Sequence, residues 1–538
     1  MKYLFCLFEV AASGNIHEYD DRIKRVSAMR IVTGEEMASV EAITMNKIGL
    51  PGVVLMENAG REIARKLIEQ YGHKRYLILI GAGNNGGDGF VVARMLREQG
   101  IQVITCIVAE EHQYTGDAKL HKRIYEQSGY RWKYWHDLEP DWMEILCHID
   151  VIVDAMLGTG VRGALKDPYP EIIEKVNQSQ RDIVSIDLPS GVPADESEFD
   201  YEPIQADQTY CLQLMKLSYF LEATKPFYGK TDVLPIGVPP ATFKHLEKQR
   251  CIWGEEEVFN SWLKPSSFAH KGKNGRVGII AGHQDMPGAA SLVTSAAVQS
   301  GAGLTTVAAV TSVKSLVSSH VKEAMFATFT EREGHLEPTE EELLQFYENK
   351  DVLTIGPGIG RGDSIKKIVA HAIEYFEGTL LLDADALHCI NECLSLIRER
   401  SAPLIITPHP GEMSMLTNVD TGQIKKRRFE IAEAFARENG IYVVLKGPHT
   451  IVAMPNGFIT VNMSGNEGLA KGGTGDVLTG IITALAARQT TQVALSTSVY
   501  LHGYAADLFK KDSWSADNIT PSYLIEKLPE AFKVFTTK

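Results

Sequence analysis

The chain has 538 residues, 44% hydrophobic and 23% charged, with a formal net charge of −14; that length favours two to four domains and accommodates two large α/β domains. An acidic surface repels phosphate backbones and so argues against nucleic acid as a partner, although a few backbone amides can still hold a small anion locally. Seven scattered cysteines, odd in number and irregular in spacing, argue against a disulfide framework and for a reducing, cytoplasmic setting.

Residues 1–28 read as an extension. Their short apolar run follows a single lysine and is broken by Glu9, which makes a poor signal peptide. No stretch approaches the ~20 apolar residues needed to cross a bilayer, so no membrane is expected. From residue 29 onward, strands alternate with helices. Val54, Leu55, Ala59, Ile63, Leu67 and Ile68 recur at helical spacing and predict a helix over 54–70. Residues 76–80 predict a buried strand running into a glycine-rich turn, followed by a helix over 91–99 and a strand over 102–108. Strands at 151–153 and 183–186 end in polar, glycine-containing loops. A Pro/Gly-rich stretch at 233–240 closes a first domain over 29–240, and 241–250 reads as a linker. A second domain over 251–538 carries strands at 276–281, 352–355, 380–382, 404–406 and 442–445 and a helix over 476–486. Such alternation predicts α/β architecture with mostly parallel sheets covered on both faces, and ligands beyond the carboxyl ends of the strands.

In the first half, Gly81-Ala82-Gly83-Asn84-Asn85-Gly86-Gly87-Asp88-Gly89 follows a strand and opens a helix. Its glycines allow close backbone approach, and its amides face an anion with the helix dipole behind them. A Gly-x-Gly-x-x-Gly pattern with Glu110 and Glu111 after the next strand is only a weak sign of a redox Rossmann domain. Asp154 and Asp187 close two further strands. Asn85, Asp154 and Ser190 could converge as hard oxygen ligands for a cation, leaving Asp187 free as an acid or base. Taken singly, each aspartate reads as a loop or cap residue; the conjunction points to a site.

Met56-Glu57-Asn58-Ala59-Gly60-Arg61, the asparagine-glycine loop, the Asp154 loop and Asp187-Leu188-Pro189-Ser190-Gly191 resemble the NAD(P)H-hydrate epimerase family, the YjeF N-terminal domain. The resemblance implies a Rossmann-like three-layer fold, interconversion of the R and S hydrates of NADH or NADPH, and a potassium ion held by Asn85, Asp154 and Ser190. It further implies substrate contacts from Asn84, Asn85, Gly86, Gly87 and Asp88, from Gly158, Thr159, Gly160, Val161, Arg162, Gly163 and Ala164, and from Asp187. The stretch Leu212-Gln213-Leu214-Met215-Lys216-Leu217-Ser218 departs from the family's usual small-residue run, which leaves the rim of that pocket open.

In the second half, Ala470-Lys471-Gly472-Gly473-Thr474-Gly475-Asp476 directly precedes an apolar helix. Consecutive glycine amides at a helix N-terminus cradle charge developing on a transferring phosphoryl group, and Asp476 is placed to take a proton from the attacking hydroxyl. The string is no P-loop. His409 with Glu412, Lys446 with Thr450, the Gly356–Gly360 turn, and Asp383 with Asp385 (carboxylates suited to magnesium or substrate) sit at other strand ends. His388, Cys389 and Cys393 read as core residues, because the cysteines lie four apart with no second ligand cluster.

The HisLysGly, GlyAlaAla, GlyProGly, ThrProHisProGlyGlu, LysGly and GlyGlyThrGlyAsp stations, beginning at His270, resemble in order the ADP-dependent NAD(P)H-hydrate dehydratase family of ribokinase-like three-layer fold. The resemblance implies nucleotide contacts from Lys446, Gly447, Pro448, His449, Thr450, Asn466, Lys471, Gly472, Gly473, Thr474 and Gly475. It implies hydrate contacts from Ala290, Gly358, Gly360, His409 and Asp476, with magnesium and ADP as cofactors. A homo-oligomer acting on small molecules is expected. Two other readings remain open: a small-molecule kinase on the same fold, and a first half that serves as a binding module.

Overall fold

The computed structural model describes residues 29–262 and 267–533; the extension expected over 1–28 lies outside the described residues. The chain divides into two compact units, one of Arg30–Arg250 with Val419–Ala432 and one of Cys251–Asn418 with Glu433–Lys538.

The first unit carries β1 (Ile31–Val32), β2 (Tyr76–Ile80), β3 (Val103–Ile107), β4 (Lys133–Tyr134), β5 (Val151–Ala155), β6 (Asp182–Ile186), β7 (Gln208–Leu212), β8 (Met215–Lys216) and β9 (Lys230–Leu234). Seven of them form one parallel sheet in the order β4-β3-β2-β5-β6-β7-β9. The chain steps outward from β2 to β4, then returns to β5 on the other side of β2. A crevice therefore opens at the carboxyl ends of β2 and β5. Every residue of β2 is buried, and successive side chains serve opposite faces. Tyr76, Ile78 and Ile80 pack with Leu55, Ile63 and Leu67, while Leu77 and Leu79 pack with Trp135, Ile172 and Val176. The two-residue period of a strand thus fixes three layers.

Three helices of this unit bear on its site: α1 (Gly34–Ile43), α2 (Gly52–Tyr71) and α3 (Asn84–Glu98). Thr33 and Glu36 close a capping box at the start of α1, and the preceding β1 pairs in parallel with β8, Val32 lying opposite Lys216. The helix expected over 91–99 begins earlier, at Asn84, so the asparagine-glycine stretch is the first turn of α3. Gly86 makes this possible: a Cβ there would sit 1.8 Å from the Gly81 carbonyl oxygen. Residues 241–250 pack within this unit, through a Thr242–Thr44 hydroxyl contact at 3.3 Å and an Arg250–Glu36 ion pair at 2.8 Å.

The second unit's strands are β10 (Arg250–Ile252), β11 (Arg276–Ile280), β12 (Leu304–Ala308), β13 (Met325–Ala327), β14 (Glu331–Arg332), β15 (His335–Leu336), β16 (Val352–Ile355), β17 (Thr379–Leu382), β18 (Leu404–Ile406), β19 (Tyr442–Leu445), β20 (Ile451–Ala453) and β21 (Ile459–Val461). Ten form a sheet in the order β10-β21-β20-β19-β18-β17-β16-β11-β12-β13. The run from β19 to β13 is parallel, and β20 and β21 add antiparallel strands. The order reverses between β11 and β16, again opening a crevice at their carboxyl ends. Four helices matter here: α4 (Pro287–Gln299), α5 (Pro410–Thr417), α6 (Thr474–Ala486) and α7 (Thr491–Lys511). The α6 helix is apolar almost all round because α4, α7 and the sheet enclose it; its Val477, Ile481 and Leu485 join one core cluster and its Leu478 and Ile482 another. Both units are three-layer α/β structures, as expected. No helix among the described residues is long and apolar enough to cross a membrane.

Candidate active sites

In the first unit the crevice is floored by the turn after β2 and the end of β5. Because α3 starts at Asn84, the amides of its first turn have no partner within the helix and face outward as an anion site. Asn85 and Asp88 are both only 7% exposed. The Asn85 amide nitrogen donates to the Leu157 carbonyl at 2.7 Å, while its Oδ1 is buried with no hydrogen-bond partner among the described residues. Asp154, the penultimate residue of β5, is fully buried. It accepts from the Ser185 hydroxyl and the Ser190 amide, each at 2.8 Å, and from the Ser190 hydroxyl at 2.5 Å. Burial nevertheless pushes its carboxyl above the usual range, as expected of a carboxylate short of a positive neighbour. Asn85, Asp154 and Ser190 are thus brought together.

Asp187 follows β6 with φ of +65°, a strained conformation for a non-glycine residue. Its carboxylate accepts from the Leu212 amide at 2.9 Å and pairs with the fully buried Lys216 ammonium. The stretch that departs from the family pattern therefore supplies the cation that fixes Asp187. Gly158 stands over Asn85, and a Cβ there would lie 3.4 Å from the Asn85 Cβ. Arg162 donates to the Thr159 and Val161 carbonyls at 3.2 and 2.9 Å, which shapes the loop carrying Gly160, Gly163 and Ala164. The sequence reading missed α1: a Cβ on Gly34 would lie 3.1 Å from the Thr159 carbonyl oxygen, so this helix walls the site. Its Glu41, two turns on, faces Asp187 and Lys216.

In the second unit, α6 begins at Thr474, with Gly473 as its N-cap at φ +93°. That left-handed cap opens the helix from the glycine turn, and the Thr474 amide closes back on the Lys471 carbonyl at 3.4 Å. The Thr474 hydroxyl ties the turn by donating to the Leu469 and Lys471 carbonyls, each at 2.8 Å. Asp476 lies in the first turn of α6. Burial, then the charge of Asp383, push its carboxyl up to about 7, while Lys446 opposes the rise. Such a value suits a base that must release its proton near neutrality. Asp383 is 1% exposed and accepts from Lys446 Nζ at 3.2 Å and the Thr479 hydroxyl at 2.6 Å. Burial works against its ionisation, but Lys446 overrides this and holds Asp383 below the usual carboxylate range. The Lys446 ammonium also lies 3.7 Å from Glu412. It therefore sits among the carboxylates at the mouth of the glycine turn, not on the β19–β20 turn formed by Gly447, Pro448, His449 and Thr450.

His409 caps α5. Its Nδ1 accepts from the Gly411 and Glu412 amides at 2.9 and 3.3 Å, which leaves the proton on the exposed Nε2. Gly358 and Gly360 both have positive φ, +58° and +84°, and the Gly360 amide donates to Asp385 at 3.0 Å. Ala290 is fully buried in α4, and its neighbour Ala289 packs on the turn, 2.8 Å from where a Gly358 Cβ would sit. Asn466 accepts from the Gly468 amide and donates to Asp507, each at 3.0 Å. The Lys471 ammonium is engaged by the Ala516, Asp517 and Ile519 carbonyls, so it shapes the loop beside the glycine turn. Asp383, Asp507, Thr479 and the 516–519 carbonyls lay outside the expected nucleotide-contact set; carboxylates at 383 and 385 were legible, their partners were not. Cys389 and Cys393 are buried free thiols, and burial pushes the Cys389 thiol up to about 11.

Residues 277–530 match the family described as NAD(P)H-hydrate dehydratase, and residues 52–218 match the YjeF-related protein N-terminus. The bifunctional NAD(P)H-hydrate repair enzyme of Moorella thermoacetica is 34% identical over 89% of this chain and 92% of its own length. The Escherichia coli enzyme of the same description is 32% identical over 86% of each chain. A solved ADP/ATP-dependent NAD(P)H-hydrate dehydratase from Bacillus subtilis, co-crystallized with ATP and Mg2+, is 31% identical over 54% of this chain and 99% of its own, with a TM-score of 0.47. The chain thus matches both constituent families, each over the unit whose crevice carries the corresponding residues, and it belongs to the bifunctional NAD(P)H-hydrate repair enzymes.

Proposed function

We propose that the second unit dehydrates the S hydrate of NADH or NADPH at the expense of ADP, and that the first unit interconverts the R and S hydrates. The observation that carries the reading is Asp476, a carboxyl near neutrality beside a left-handed glycine cap. Hydroxide is a poor leaving group. Asp476 takes the proton of the hydrate's hydroxyl as its oxygen attacks the β-phosphorus of ADP, AMP departs, and the Gly472–Gly475 amides steady the charge on the phosphoryl oxygens. The carbon–oxygen bond then breaks, phosphate leaves with the electron pair, and a proton lost from the neighbouring carbon restores the ring double bond. His409, with its exposed Nε2–H, orients the substrate.

Among the described residues no group of three or more His, Cys, Asp or Glu side chains is arranged to hold a metal. Asp383 is already taken by Lys446 and Thr479, and Asp385 by the Gly360 amide and Arg361. The carboxylates do not form a magnesium cage, so magnesium would arrive on the nucleotide phosphates. Potassium fits better: the orphaned Asn85 Oδ1 and the burial-strained Asp154 ask for a cation, and Asn85, Asp154 and Ser190 would hold it. When bound, it would supply positive charge to the crevice. Asp187, fixed by Lys216, moves the proton in epimerisation.

The test is to incubate chemically hydrated NADH with the full chain, with and without ADP and with potassium or sodium. Near-ultraviolet absorbance of the reduced ring should return only with nucleotide, with AMP and free phosphate formed together. Without nucleotide, R and S forms should still exchange, faster in potassium. Phosphate retained on the product would instead identify a small-molecule kinase.

A further inference from the structure

The epimerase site holds more carboxylates than a single base requires. Asp88, on α3, is 7% exposed, and its carboxylate makes no hydrogen bond to any described residue. Asp187 stands at the end of β6, paired to Lys216 from β8 and to the Leu212 amide. Glu41 approaches from α1, which is held against the site by the Val32–Lys216 register, by the Gly34 amide donating to Asp195 at 2.7 Å, and by the approach of Gly34 to Thr159. The charged groups facing Asp88 are Asp187, Glu41 and Lys216; those facing Glu41 are Asp187 and Lys216. One ammonium thus serves three carboxyls in a partly buried cluster, and Lys216 is committed to Asp187. Like charges crowded around one ammonium and shielded from water resist ionising together, which favours retention of a proton.

The chemistry calls for such a pairing. Water adds across the ring's enamine so that the hydroxyl lands on the carbon bonded to the ring nitrogen. Inverting that carbon requires the hydroxyl to leave, with the nitrogen lone pair forming a C=N bond, and water to add from the opposite face. An acid must protonate the departing oxygen, and a base must take a proton from the incoming water.

We propose that Glu41 is a positioning residue for this epimerisation: beside Asp88 and Asp187, it keeps one proton in the cluster, so that Asp88 meets the substrate as an acid and Asp187 as a carboxylate. Asp88 gives its proton to the leaving hydroxyl, and the C–O bond breaks. Asp187 takes a proton from the water whose oxygen bonds to the opposite face, and the ring nitrogen regains its pair. One water leaves, one is added, and the proton returns from Asp187 to Asp88. Burial, then Asp187 and Glu41, raise the Asp88 carboxyl, and burial, then Asp187, raise that of Glu41; both directions agree with a shared proton.

The inference rests on the epimerase reading, and the experiment separates the two. R–S exchange is followed across pH without nucleotide, using the full chain, its Glu41→Gln form and its Glu41→Asp form. Wild-type exchange should fall on the alkaline side, where the retained proton is lost. Glu41→Gln removes one negative neighbour, so that limb moves to lower pH. At the wild-type half-maximum the variant should run roughly fivefold below the same fraction of its own maximum, the effect of a limb displaced by about one pH unit. Glu41→Asp should keep the limb near its wild-type position. A Glu41→Gln limb that superimposes on wild type overturns the role of Glu41; if Glu41→Gln does not fold, a Glu41→Asp limb displaced from the wild-type position by about one pH unit overturns it. No exchange by wild type at any pH would overturn the epimerase reading itself.

Discussion

Replacing Asp476 with asparagine should move activity and stability in opposite directions. Folding lifts this carboxyl from 3.8 to about 7, a difference that corresponds to roughly 4 kcal/mol; because the side chain keeps some solvent contact, that is an upper bound. The sign follows from proton binding. Between about pH 4 and pH 7 the folded protein holds a proton that the unfolded chain has released, so stability falls as pH rises through that window. Above about pH 7 the wild type carries the full cost of a buried, ionised Asp476 beside Asp383. Asparagine has the same shape and no charge, and the carboxylate it replaces makes no hydrogen bond among the described residues. The variant should therefore unfold at higher denaturant near pH 8, by up to about 4 kcal/mol, and match wild type near pH 4. Dehydration should fall by about 10²–10⁴, the usual contribution of a positioned general base, while R–S exchange continues. The assays are ADP-dependent recovery of nicotinamide absorbance and denaturant melts of the same preparations at both pH values. A variant that dehydrates normally, or loses dehydration and exchange in equal measure, refutes the assignment. One that is less stable near pH 8 refutes the electrostatic argument.

Two further changes have definite outcomes. Gly473→Ala would place a Cβ 2.8 Å from Leu292 Cδ1 and 3.0 Å from Pro521 at a φ of +93°; it should cost about 1–3 kcal/mol and weaken ADP binding roughly tenfold, read by calorimetric titration, with exchange unchanged. Lys216→Met would leave Asp187 ionised without its fully buried partner; the first unit should lose about 3–5 kcal/mol in a chemical melt, and exchange should collapse while dehydration of the pure S hydrate persists.

The strand β2 was legible because five apolar residues bounded by turn signals have few other solutions. The glycine stations were legible because dense glycine before an apolar helix has few uses besides close approach to a ligand. Boundaries were less so. The first turn of α3 reads as loop because glycine and asparagine are poor helix formers, yet Gly86 packs on the Gly81 carbonyl and the helix starts at Asn84. The motif residues Asp154, Asp187, Asp476 and the cradle glycines were thus given by the chain itself, since local chemistry at strand ends needs only neighbours in sequence.

Long-range partners were decided by the tertiary structure alone. Lys216 lies in a stretch that reads as a departure from pattern, and only the parallel pairing of β1 with β8 and the turn after β7 carries it to Asp187. Glu41 sits on an unremarked helix whose register on the site is set by the packing of Gly34. Lys446 reads as a phosphate ligand, and folding also brings it among Asp383, Glu412 and Asp476, where it holds Asp383 below the usual carboxylate range and opposes the rise of Asp476. A linear text names which groups can ionise. Whether they do depends on burial and on the neighbours that folding brings within a few ångströms, because electrostatic energy falls with distance and grows as water is excluded.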